Sequence, residues 1–275
     1  MKVGIIGTGN MGTILISAFM ESLAVRPSDL MIINRTARKA EALKVQYPGL
    51  NVGKSNSEVA SFSDIIFLCV KPLEYHALIE TIAPYLTSEK LIVSITSPIS
   101  VEQLEEVSPC SVARVIPSVT NRAFSGASLM TYGKRCTPTQ KKNLKKLMSK
   151  ISTPIEIDQS ITRVASDLSS VGPAFFSYLL QAYIDSAVKE TAISKEQATQ
   201  LASEMIIGMG KLLEKEIYTL PTLLQKVCVK GGVTGEALKV FDAELGPLFN
   251  NVIKRTHEKY KEDCEAVEQQ FTRQY

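Results

Sequence analysis

Three glycines near the start of the chain have the spacing that binding of phosphates requires. Gly7, Gly9 and Gly12 fit G-x-G-x-x-G; they follow directly on Val3, Ile5 and Ile6 and precede a helix-compatible run, Thr13 to Glu21. In a strand–turn–helix of this kind the first glycine makes the tight turn and the second lets backbone approach a pyrophosphate. The third lets helix and strand pack closely. The helix N-terminus then offers free N–H groups and a favourable field to a diphosphate. The stretch reads as the entry to a dinucleotide fold, the plainer alternative being a glycine turn between any strand and helix.

The polar tip of the next strand candidate, Leu30 to Ile33, is Asn34-Arg35-Thr36, with Arg38 and Lys39 close behind. NAD-preferring sites usually carry an acid at this point to hold the ribose hydroxyls, whereas an arginine suits a 2'-phosphate. Arg35 offers paired donors and a planar face, and Thr36 a hydroxyl, so NADPH is expected over NADH. A solvated basic helix start is the alternative. Far along the chain, Lys230-Gly231-Gly232-Val233-Thr234 combines flexible backbone with the start of a helix. Its amides suit a carboxylate and the Thr234 hydroxyl suits an amine or imine. Equally, the stretch is an interhelical joint with Thr234 as a cap.

Composition narrows the rest. The chain has 275 residues, 45% hydrophobic and 21% charged, enough for an ample core in one large domain or two modest ones. A net charge of +3 is too weak to imply nucleic acid or a membrane surface. The five cysteines, at 69, 110, 136, 228 and 264, are scattered without zinc spacing, and His76 and His257 are the two histidines. No metal site is expected, and a reduced, cytoplasmic chain is the simplest account. The opening residues read as a strand into glycines, neither a signal peptide nor a membrane span.

The elements that must position these residues follow from the hydrophobic pattern. Asp64 to Val70 is a continuous apolar strand of the kind buried on both faces of a parallel sheet, with Cys69 a packed thiol, and Lys71-Pro72 ends it. Leu91 to Ile95 and Ser111 to Ile116 repeat the signal, with helices at Ala37 to Tyr47, Ser57 to Ser61 and Leu73 to Leu86 between strands. This beat implies an open α/β sheet with right-handed crossovers. Ile116-Pro117-Ser118 and the small residues Thr120 to Ser128 read as a ligand loop beyond a strand end. Thr137 to Gln140 is a capping box opening a lysine-rich, solvated helix, and Pro154 to Ile157 suits a final edge strand.

From Ile161 the period changes to that of long helices. One begins at Pro173 with a broad apolar stripe; a second capping box, Ser194 to Gln197, opens a run to Glu214; a short helix spans Thr222 to Val227, and helices resume from Thr234. The fold expected is an α/β Rossmann-like N-terminal domain, residues 1–158, followed by an all-α domain, residues 159–275. Wide apolar faces on the second imply substrate binding and a homo-oligomer, most simply a dimer.

With these pieces in order, the chain resembles the pyrroline-5-carboxylate reductase family over nearly its whole length. The agreement comprises GIIGTGNMG at 4–12, NRT at 34–36, Asn56, VKP at 70–72, RVIP at 114–117, GPAF at 172–175 and GGVTGEAL at 231–238. The resemblance implies a Rossmann domain with a helical dimerisation domain, in dimers or larger rings. It implies NADPH on Gly7, Thr8, Gly9, Asn10, Met11, Gly12, Asn34, Arg35, Thr36, Asn56, Val70, Lys71 and Pro72. Substrate, a small carboxylated imine, is placed near Gly231, Gly232, Val233 and Thr234, with Thr234 as the catalytic candidate. The implied reaction is hydride transfer to C5 of pyrroline-5-carboxylate, giving L-proline, a task that positioning largely serves.

The chain departs from the family pattern around the substrate. Arg-x-Met-Pro-Asn is here Arg114-Val115-Ile116-Pro117-Ser118. A glutamate followed by Asp-Ala-Val-Thr and Leu-Ser-Gly-Ser-Gly-Pro-Ala is here Gln159, Arg163-Val164-Ala165-Ser166 and Leu168 to Ala174, with Ser170 and Val171 at changed positions. Ser-Pro-Gly-Gly is Val229-Lys230-Gly231-Gly232. Arg163 in place of an acid is the sharpest change. The alternative these departures raise is a catalytically altered NADP-binding regulatory or interaction protein linked to late competence.

Overall fold

In the computed structural model, which describes residues 1–272, eight strands form one sheet. They are β1 (Val3–Ile6), β2 (Leu30–Ile33), β3 (Asn51–Val52), β4 (Ile65–Leu68), β5 (Leu91–Ser94), β6 (Ser111–Ile116), β7 (Ala127–Tyr132) and β8 (Thr153–Glu156). Their order is β3-β2-β1-β4-β5-β6-β7-β8, and every pairing is parallel except that of β6 with β7. The order 3-2-1-4-5-6 reverses direction between β1 and β4, so the crevice for a ligand opens beyond the carboxyl ends of those strands. Alternation of side chains explains why β4 is apolar throughout. Ile65 and Phe67 enter one buried cluster with Leu15, Phe19 and Val93, while Ile66 and Leu68 enter the other with Tyr75, Ile79 and Ile92.

The helices are α1 (Asn10–Glu21), α2 (Ala37–Gln46), α3 (Asn56–Phe62), α4 (Tyr75–Ile82), α5 (Val101–Val107), α6 (Pro138–Met148), α7 (Thr162–Ser166), α8 (Gly172–Glu190), α9 (Lys195–Glu214), α10 (Leu220–Val227), α11 (Val233–Glu244) and α12 (Leu248–Thr272). The chain is thus an α/β Rossmann-like region followed by an all-α region. By compactness it divides into two units. One is Met1–Pro173 with the described residues from Arg255 onward, and the other is Ala174–Lys254. No described helix is long and apolar enough to cross a membrane.

Both capping boxes read from the sequence form. Thr137 accepts from the Gln140 N–H and Ser194 from the Gln197 N–H, and α9 runs from there to Glu214. Two strands escape the pattern. β3 is two residues long, too short for periodicity, and β7 starts within the stretch expected to be a ligand loop, Thr120 to Ser128, and runs on to Tyr132. Its polar residues are satisfied internally. Buried Asn121 takes the Ser118 N–H at 2.8 Å and the Ser128 hydroxyl at 3.2 Å, and donates to the Ser125 carbonyl at 2.9 Å. Small polar residues that bond one another read as a loop by composition alone.

The long helical segment also begins earlier than Pro173. α7 passes through a π-helical turn, Asp167–Val171, before α8. Pro173 has no N–H to donate, so an ordinary helix would leave the Ser169 carbonyl four residues back without its donor. That carbonyl accepts instead from the Ser118 hydroxyl at 3.1 Å.

Candidate functional site

The cleft at the switch point has a volume of about 810 Å³, and its floor is the glycine turn. Gly7 has φ +101°, and a Cβ there would stand 2.4 Å from the Cys69 carbonyl oxygen. Only glycine fits this position. At Gly12 a Cβ would meet the Gly7 carbonyl at 2.2 Å, so the third glycine serves packing of α1 on β1. Gly9 is different. A Cβ there would find nothing within 4 Å, so the second glycine keeps space open rather than relieving a clash with the protein.

The turn is held by backbone and by Asn34. The Gly7 N–H donates to the Ile33 carbonyl at 2.8 Å and the Cys69 N–H to that of Ile6 at 2.7 Å. Asn34 accepts from the Thr8 N–H and donates to the Thr36 carbonyl, both at 3.1 Å, tying the end of β2 to the glycine loop. Gly9 caps α1 without a side-chain hydrogen bond, and no acid stands in its first turn. An uncapped N-terminus beside open space over Gly9 fits a diphosphate. Desolvation pushes the Cys69 thiol up and keeps it protonated, as befits a packed residue.

Of the residues the sequence singles out, Gly7, Gly9, Asn34, Arg35, Thr36, Asn56, Val70 and Lys71 line this cleft. Thr8, Asn10 and Met11 line a second cleft of about 810 Å³ across the glycine loop, with Gly9, Leu43 and Val119. The Thr8 hydroxyl is buried there with no partner. Gly12 and Pro72 line neither; Gly12 packs on the turn and Pro72 begins a single 3₁₀ turn, Pro72–Glu74. Lys39, Lys54 and Glu74 join the first cleft. Lys54 and Glu74 carry no motif signal, and only strand order brings them opposite Arg35. Arg35 itself is 90% exposed, its guanidinium directed away from any core.

In the helical unit, Gly231 has φ +77°, and Gly232, not Thr234, is the N-cap of α11. The Gly232 N–H donates to the Val229 carbonyl at 3.0 Å, and a Cβ on Gly232 would press within 2.9 Å of the Val229 side chain. Val233 is exposed and Thr234 half-buried. Gly232 thus takes the capping role that the joint reading assigned to Thr234.

The departures at 159–171 fall in the first unit. Arg163 donates to Asp167 at 2.9 Å, one helical turn on, and its guanidinium lies 5.9 Å from the Tyr260 ring centre. Buried Arg114 donates to the Thr162 hydroxyl at 2.6 Å and to the carbonyls of Ser97 and Ile99. Arg163 is therefore a paired packing residue.

Against known proteins, residues 159–263 match the family model described as pyrroline-5-carboxylate reductase dimerisation, and residues 2–98 match NADP oxidoreductase coenzyme F420-dependent. The chain is 52% identical to ComE operon protein 4 of Bacillus subtilis (strain 168), over 98% of this chain and 99% of that protein. It is 30% identical to pyrroline-5-carboxylate reductase 3 of the same organism, over 98% and 99%. Among solved structures it matches Plasmodium falciparum pyrroline carboxylate reductase with NADP bound, at TM-score 0.81 and 25% identity over 97% of each chain. The pyrroline-5-carboxylate reductase from Coxiella burnetii shares the fold at TM-score 0.86 and 21% identity, over 95% of this chain and 98% of that one. A glycine turn of this geometry, a helical region of this sequence and full-length similarity to a reductase agree with one another: the chain belongs to the pyrroline-5-carboxylate reductase family.

Proposed function

We propose that the protein is an NADPH-dependent imine reductase that converts pyrroline-5-carboxylate, or a closely related small carboxylated cyclic imine, to the saturated amino acid. The observation that carries this reading is the cleft itself: an uncapped helix N-terminus, open space over Gly9 and four cations, Arg35, Lys39, Lys54 and Lys71, on its wall. The NADP bound in the Plasmodium relative supports the choice of cofactor. In this reading the α1 amides hold the diphosphate and Arg35 with Thr36 the 2'-phosphate. When bound, the reduced nicotinamide supplies the hydride that adds to C5 of the protonated imine, leaving the oxidised cofactor and proline.

The chain's own part is placement. Backbone amides at Gly231 and Val233 hold the substrate carboxylate, Gly232 keeping its N–H on the Val229 carbonyl and shaping the turn, and the Thr234 hydroxyl, free of the cap, orients the ring nitrogen and its proton. Such chemistry needs neither a histidine nor a carboxylate pair. The dimerisation model matched by residues 159–263 supports a homodimer, with a larger ring as a further possibility of the same surface.

A second reading is favoured by the Arg163–Asp167 pair and the 52% identity to ComE operon protein 4: a regulatory or interaction protein that binds the cofactor without turning it over. One experiment separates the two. Purified protein is given NADPH and pyrroline-5-carboxylate, with proline detected directly and cofactor binding measured in parallel. Oxidation coupled to proline supports the reductase; binding without turnover supports the second reading; no NADPH binding by folded protein overturns both.

A further inference from the structure

Glu74 is the one carboxylate among the residues lining the first cleft, facing Arg35, Lys39, Lys54 and Lys71. It bridges two loops. Its Oε1 accepts from Arg35 Nη1 at 3.3 Å, in the loop after β2, and its Oε2 accepts from the Lys71 backbone N–H at 3.2 Å, in the loop after β4. The carboxylate therefore spans the mouth of the cleft, resting on the guanidinium to which the cofactor reading assigns the 2'-phosphate. Both side chains are substantially exposed, Arg35 by 90% and Glu74 by 44%, so the pair is weak and can exchange partners.

We propose that Glu74 is a cofactor-selecting residue: it competes with the 2'-phosphate for Arg35 and so lowers the preference for NADPH over NADH. The inference rests on the cofactor reading above and deepens it. A phosphate dianion entering the cleft must take Arg35 from Glu74 and then sit near the displaced carboxylate, both of which reduce its affinity. A ribose that ends in a 2'-hydroxyl meets neither cost, because it brings no charge and needs no guanidinium. The selection is thus a repulsive element laid over an attractive one. Nothing in the residue spacing hinted at it, since the two side chains are 39 positions apart.

The test is direct binding of NADPH and NADH to the full chain, wild type and E74Q, R35A and the double variant R35A/E74Q. Glutamine keeps an oxygen for the Lys71 N–H, so the local turn is preserved while the charge is removed. Glu74→Gln is expected to tighten NADPH roughly three- to tenfold, with NADH changed less than about twofold. The gain should be clearly smaller in the R35A background, where only repulsion between the carboxylate and the phosphate remains, and should shrink as salt is raised. An unchanged NADPH-to-NADH ratio in E74Q, a shift toward NADH, or a gain of equal size without Arg35 overturns the proposal. Failure of the cofactor reading looks different: wild type then binds no NADPH, before any substitution is compared.

Discussion

The Ser118 hydroxyl donates to the Ser169 carbonyl at 3.1 Å and joins the end of β6 to the π-helical turn that precedes Pro173. The bond replaces the donor that the proline ring removes. Ser118 is fully buried and Ser169 half-buried, so loss of the hydroxyl leaves a largely enclosed carbonyl short of its donor. Ser118→Ala is expected to destabilise the fold by about 1–3 kcal/mol, read from denaturant midpoints at unchanged slope. A loss below a few tenths would mean that the turn relaxes to find another donor.

Arg163 and Asp167 form a pair whose side chains are largely withdrawn from water, and the second oxygen of Asp167 accepts from Thr256 on α12 at 2.7 Å. Removing one partner strands the other. Asp167→Asn is expected to cost about 3 kcal/mol, while the paired apolar replacement R163M/D167L costs much less, because it leaves no unpaired charge. Equal losses in the two variants would show that packing, not charge, is what the pair supplies.

The glycine turn separates stability from binding. Gly7→Ala places a Cβ against the Cys69 carbonyl at a left-handed φ, and is expected to lose roughly 2–3 kcal/mol of stability. Gly9→Ala meets no protein atom within 4 Å and should fold like wild type while binding NADPH at least roughly tenfold more weakly, the cost of crowding one close phosphate contact. Thermal melts with cofactor titrations distinguish the two; wild-type affinity in the Gly9 variant would remove the diphosphate from this turn.

In the proposed reaction Thr234 is the substrate-side counterpart. Thr234→Val keeps shape and deletes the hydroxyl, and is expected to lower kcat/KM by roughly tenfold to a hundredfold with NADPH affinity unchanged. Substrate kinetics identical to wild type would place the hydroxyl outside the site.

Tyr260 predicts an alkaline response. Its hydroxyl donates to the Ser97 carbonyl at 3.2 Å, and burial, with the neighbouring Cys264, pushes its pKa from 10.0 to about 12. A group whose pKa is raised by folding stabilises below its unfolded value, and that contribution fades as pH climbs through the folded one. Stability should therefore fall between about pH 10 and about pH 12 in wild type, and less steeply in Tyr260→Phe. Tyr132, also raised to about 12 by burial, accounts for part of the slope that remains. Identical slopes would mean that Tyr260 ionises as freely in the folded protein as in the unfolded chain.

Local chemistry was legible where a few adjacent residues suffice to impose it. The β1–glycine–α1 unit, the apolar β4 run and the boxes at Thr137 and Ser194 each depend on contacts within about one turn of chain, and each forms as read. β7 and the π-helical turn were not, because their stability lies in partners far along the chain: β8, where Pro154 pairs with Ser128, and Ser118 for Ser169. The residues lining the cleft divide in the same way. Gly7, Asn34, Arg35 and Lys71 stand at strand ends that hydrophobic pattern reveals, whereas Lys54 lies in a segment with no such mark and Glu74 in a stretch that reads only as a helix.

By itself the sequence determined the backbone of the phosphate turn, since Gly7 must take a left-handed φ that other residues resist and Gly9 must leave space above it. It also determined the alternation of strands and helices and the later change to helices alone, both of which are periodicities of apolar residues. Tertiary structure alone decided which charges share the cleft. Arg35 follows β2 and Glu74 follows β4, and they meet because both strands pair with β1 and end at the same edge of the sheet. Distance along the chain carries no record of that meeting; strand order sets it, through the burial of two apolar faces at once.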